Sequence, residues 1–205
     1  MRPQFALLVP DLDWKLFSDK VRTFGGAAPW SGDTCAKLNR FRARYELARR
    51  FRSIDAEGYS SEILRGYSVG IKLLLAYTAA DHLGEAIKNK VSEWSIVDPN
   101  LADALRKTLQ TTEENSGQFL SQPTLKARFD SFMNSETDDV RIAATVLRVM
   151  VAHGAFTPNG TGALRKTGAL AVDQLAGVLL AQCADRFNCW LKQMLQGSPN
   201  TEGRD

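Results

Sequence analysis

Two histidines and three cysteines are all that 205 residues offer in soft or readily titrating ligands. His82 and His153 lie far apart in sequence, and Cys35, Cys183 and Cys189 form no C-x-x-C pair, so neither a metal centre nor a disulfide framework is expected. Phosphate-loop, nucleophile-elbow, H-E-x-x-H and dinucleotide-binding signatures are missing. The glycine clusters in "NGTGAL" and "FGGAA" read as turn chemistry, and no organic cofactor is implied. The apolar stretch of "MRPQFALLVPDLDW" is cut short by Pro10 and Asp11, which makes a poor signal peptide. Even "VGIKLLLAYTAA" contains Lys72 and is too short to cross a bilayer. The expectation is a soluble, cytoplasmic protein without a membrane partner.

Strand alternation and hairpin turn pairs are nearly absent too, so what remains is helical periodicity and an all-α fold. A 44% apolar and 24% charged composition suits one folded domain with a substantial core, and a net charge of +3 permits an anionic partner without demanding one. Residues 1–33, broken by Pro3, Pro10 and Pro29, read as an irregular N-terminal arm. It carries a short helix near 11–22 and packs through Trp14, Phe17, Phe24 and Trp30. Residues 34–196 form the helical domain, and 197–205 a frayed tail.

In "KLNRFRARYELARRFRS" the residues Leu38, Phe41, Tyr45, Ala48 and Phe51 mark one helix face, with Thr34 or Asp33 as N-cap. Outside that stripe Lys37, Arg40, Arg42, Arg44, Arg49, Arg50 and Arg52 stand against one acid, Glu46. Such a face either follows a phosphate backbone or is a solvated surface balanced by acids elsewhere, such as Asp55 and Glu57. A long second helix starts at Ser60 or Ser61, with Ile63, Tyr67, Ile71, Leu74, Leu75, Thr78 and Leu83 as its inward surface. Two shorter helices open at Pro99 and Pro123 and read as polar and peripheral. "DDVRIAATVLRVMVAHG" is expected to carry acids in its first turn and to stop at Gly154. The last segment is one long helix, or two with a bend near Gly168. Its Leu175, Val178, Leu179, Phe187, Trp190, Leu191 and Met194 are core or dimer surface, with Cys183 and Cys189 as small buried hydrophobes.

"RVMVAHG" places Arg148 five residues ahead of His153. Five positions turn a regular helix through about 500 degrees, leaving the side chains about 140 degrees apart unless His153 departs from the helix. The pair can be structural, both cations favouring a helix C-terminus. It can also be functional: a histidine can move a proton near neutral pH and a guanidinium can hold a phosphate. Those are the minimal groups for metal-free phosphodiester cleavage.

The R-x-x-x-x-H spacing, its place at the end of an apolar helix and "YTAADHL" at 77–83 together resemble the HEPN superfamily of small helical bundles. The resemblance covers most of residues 34–196. It implies a homodimer in which two facing motifs cut RNA without metal. His153 would then act as general acid or base, Arg148 as phosphate binder and Asp81 as the orienting partner of Arg148. Val149 stands where that family usually carries Asn, Asp or His, and Thr157 or Asn159 in the following turn are candidate replacements. The rival expectation is a non-catalytic dimer that binds another protein, and a toxin held by a separate antitoxin is a third setting.

Overall fold

The computed structural model describes residues 9–24, 30–110, 122–158, 164 and 166–196. It is all-α: among the described residues there are seven α-helices and no strand. They are α1 (Trp14–Phe24), α2 (Gly32–Arg50), α3 (Ser61–Ile87), α4 (Pro99–Gln110), α5 (Pro123–Met133), α6 (Val140–Ala152) and α7 (Lys166–Gln196), with a short 3₁₀ turn at Val91–Glu93. The tail 197–205, Asn159 and the side chain of Phe24 lie outside the described residues.

The long helix α3 is the centre, packed chiefly by α2 and α7. It buries Gly66, Val69, Gly70, Leu73, Ala76, Tyr77, Ala79, Ala80, Leu83, Gly84 and Ala86. Of the inward surface expected from spacing, only Leu83 is fully buried; Ile63, Tyr67, Ile71, Leu74, Leu75 and Thr78 are half-buried. The reason is that neighbouring helices approach most closely where side chains are smallest, so the alanine and glycine rows face inward. At Gly66 an added Cβ would lie 2.8 Å from the Leu164 carbonyl oxygen and 2.9 Å from Pro158 Cβ.

Helix α2 buries Leu38, Phe41, Tyr45 and Ala48, while Phe51 is its half-buried C-cap. Its N-cap is Ser31 rather than Thr34 or Asp33: the Ser31 hydroxyl accepts from the Thr34 N–H at 3.2 Å. The described part of the expected arm carries α1 and joins a ring cluster with α2 and α7. Trp14 stacks on Phe187 at 5.6 Å, Phe17 meets Trp30 at 5.4 Å, and Trp30 meets Trp190 at 5.8 Å. The Asp13 N–H to Asn188 Oδ1 (2.9 Å) and the Tyr45 hydroxyl to the Pro10 carbonyl (2.5 Å) close the seam.

Helix α4 is not peripheral. Leu101, Ala102, Leu105, Arg106, Thr108 and Leu109 are buried, and Arg106 bonds the carbonyls of Phe132 and Thr137 and the Asp138 carboxylate. Helix α6 has no acid in its first turn; Asp139 precedes it as the N-cap. Helix α7 is a single helix without a break at Gly168. By length and composition its segment Thr167–Gln196 could span a membrane, contrary to the expectation that no stretch of the chain is apolar enough. Most of that segment's most apolar window is buried against the other helices, as a core helix requires. Cys183 lies in that core, whereas Cys189, expected to be buried, is exposed.

Candidate functional site

Four side chains from two helices meet where α6 crosses α3. Tyr77 and Asp81 are four residues apart on α3, and Thr145 and Arg148 three apart on α6, so each pair shares one helix face. The Arg148 guanidinium carbon lies 4.6 Å from the centre of the Tyr77 ring. One of its terminal nitrogens stands 3.8 Å from Asp81 Oδ2, an ion pair too long to be a hydrogen bond. Both partners are accessible, at 42% and 44% of their side-chain surface. The Arg148 Nε is buried and has no hydrogen-bond partner among the described residues. An arginine held over a ring, with its terminal nitrogens hydrogen-bonded to no acceptor among the described residues, has the chemistry to hold an anion.

The local electrostatics follow from burial. Partial desolvation raises the Asp81 pKa and outweighs the opposing pull of Arg148. Burial likewise raises the Tyr77 phenol, which therefore stays protonated.

The structure brings some of the sequence-derived residues together and keeps others apart. Arg148 and Asp81 meet. His153 is the exposed C-cap of α6, with φ −90°, ψ 3° and its N–H still donating to the Val149 carbonyl at 3.0 Å. The helical path thus persists through His153, and the chain turns only at Gly154, whose φ of +70° suits a residue without a side chain. Within one chain His153 therefore keeps the angular separation of about 140 degrees from Arg148. Val149 and Thr157 are half-buried; His82 is half-buried beside the site on α3. Tyr77 and Thr145 are not singled out by the sequence, although the four-residue step from Tyr77 to Asp81 and the three-residue step from Thr145 to Arg148 place them beside the motif.

The basic face of α2 is smaller than its composition implies. Lys37 pairs with Asp33 at 2.9 Å, Arg49 with Asp11 and Glu46, and Arg50 with Glu46 at 3.0 Å. Arg42 lies over the Trp14 ring at 4.8 Å. The neutralising acids are thus Asp33, Asp11 and Glu46, not Asp55 and Glu57. Arg40, Arg44 and Arg52 are exposed and form no ion pair among the described residues. No group of three or more His, Cys, Asp or Glu side chains among the described residues could hold a metal ion. Comparison of the chain with protein-family models, with curated proteins and with solved structures yields no match.

Proposed function

We propose that this protein binds RNA or nucleotide phosphate, with Arg148 as the anion contact and the open arginines Arg40 and Arg44 of α2 and Arg52 just beyond it as a sequence-independent electrostatic surface. The observation that carries this reading is Arg148 itself: stacked on Tyr77, half-exposed, and making no hydrogen bond to the described residues. A guanidinium in that state offers two parallel N–H donors to a phosphate.

Metal-independent endoribonuclease activity is the extension of this reading that the likeness to the HEPN superfamily implies. One chain keeps His153 and Arg148 apart around α6, so proton transfer by His153 to a phosphate held at Arg148 calls for a homodimer that supplies the two groups from different subunits. Incubating a labelled structured RNA in EDTA with the wild-type chain, His153→Ala and Arg148→Ala tests it. Cleavage by the wild type that both variants lose supports the nuclease. RNA retention without cleavage supports phosphate binding alone.

A second reading is a non-catalytic dimer that binds another protein. The half-buried row Ile63, Tyr67, Ile71, Leu74 and Leu75 favours it, because that row leaves apolar area on α3 uncovered. Absence of RNA binding even at low ionic strength would select this reading.

A further inference from the structure

We infer that Tyr77 and Thr145 are positioning residues that fix Arg148 for its anion, an inference that rests on the phosphate-binding reading above. The direction of their hydrogen bond follows from counting protons. The Thr145 hydroxyl donates to the Arg141 carbonyl at 3.0 Å, and a carbonyl can only accept. Threonine has one hydroxyl proton, so in the 3.0 Å contact between Tyr77 Oη and Thr145 Oγ1 the tyrosine is the donor. The phenol stays protonated because burial disfavours phenolate.

This two-bond chain, from Tyr77 through Thr145 to the α6 backbone, locks the ring against the helix that carries Arg148. The guanidinium rests on the ring face at 4.6 Å. Asp81, at 3.8 Å, supplies opposite charge but no hydrogen bond, so it does not set the plane of the guanidinium. Orientation comes from the aromatic face, and this leaves the terminal nitrogens for a ligand. A cation over a tyrosine is worth enough for its loss to change affinity by about tenfold.

The test is a double-mutant cycle on binding of a labelled single-stranded oligoribonucleotide, in EDTA and at low salt. Tyr77→Phe, which keeps the ring but breaks its bond to Thr145, should lose about threefold, and Tyr77→Leu, which removes the ring as well, about tenfold. Adding Tyr77→Leu to Arg148→Ala should cost nothing more than Arg148→Ala alone, because the ring acts only through the arginine. A folded Tyr77→Leu that binds like wild type, or costs that simply add, would overturn the positioning role while leaving Arg148 as the phosphate contact. Wild-type affinity in Arg148→Ala would overturn the phosphate reading and the positioning role with it. Should Tyr77→Leu fail to fold, a series of increasingly fluorinated phenylalanines at position 77 keeps the shape and weakens the negative ring face. Affinity falling stepwise along that series is expected, and a flat series overturns the role.

Discussion

At Asp81 two effects oppose each other: burial disfavours the carboxylate, and Arg148 favours it. Burial is the larger, so the folded-state pKa lies above the ordinary 3.8. Well below 3.8 the group is neutral in folded and unfolded chains alike and makes no difference to stability. As pH rises through the raised value, the folded protein must release a proton that the unfolded chain has already lost, and stability falls. Asp81→Asn should therefore gain melting temperature relative to wild type as pH rises above 3.8. A variant that loses ground as pH rises past that value would show the ion pair, not burial, in control. The same substitution removes negative charge beside Arg148, so RNA should bind more tightly to it at low salt, read by filter retention.

Among the elements, α6 depends most on a single residue. Asp139 is buried, and its carboxylate accepts from the N–H groups of Ile96 and Arg141, each at 3.1 Å, and from the Arg141 guanidinium at 2.9 Å. It caps α6, ties it to the extended segment before α4 and neutralises a buried arginine. Asp139→Ala should cost roughly 3–5 kcal/mol, the range for breaking a buried pair, measured by urea unfolding. A loss below about 1 kcal/mol would mean that the cap alone matters. At Gly66 the close approach of Pro158 and Leu164 predicts that Gly66→Ala destabilises by roughly 1–3 kcal/mol, whereas Gly32→Ala, with open space around its Cβ, should be neutral or stabilising. Equal effects at the two glycines would contradict the packing described for α3.

The elements also show what was legible in the sequence. The α2 stripe was readable because one face of that helix is apolar and the rest is charged. Helix α3 was not, because it is apolar on several sides: Leu73, Tyr77 and Leu83 are buried with the alanine and glycine rows, while Ile63, Tyr67, Ile71 and Leu74 are only half-buried. Helix α4 looked polar, but Arg106 and Thr108 are buried with their polar groups bonded. At the site, Arg148 and Asp81 came from the motif and its likeness to a family. Tyr77 and Thr145 did not, since nothing in a sequence says which ring an arginine will lie on. The cluster of Trp14, Phe17 and Trp30 with Phe187 and Trp190 joins residues too distant in sequence for any periodicity to connect.

For the whole molecule a net charge of +3 understates how unevenly charge is distributed. Arg40, Arg44 and Arg52 carry open positive charge on one helix and the segment after it, while Lys37, Arg49 and Arg50 are already neutralised by acids. Replacing the first three by glutamate should weaken RNA binding to a similar degree for unrelated sequences. It should also flatten the dependence of log affinity on log salt, by about one unit for each phosphate the protein no longer neutralises. Replacing Lys37 and Arg50 should do much less. Equal effects from both sets would place the electrostatic surface elsewhere. The measurement that bears most directly on the central claim is the affinity of the wild-type chain and of Arg148→Ala for one labelled RNA, at low ionic strength and with EDTA present. Tight, salt-sensitive binding that falls at least tenfold in the variant, about 1.4 kcal/mol, is the predicted result; equal affinities, or no binding by either chain, would contradict it.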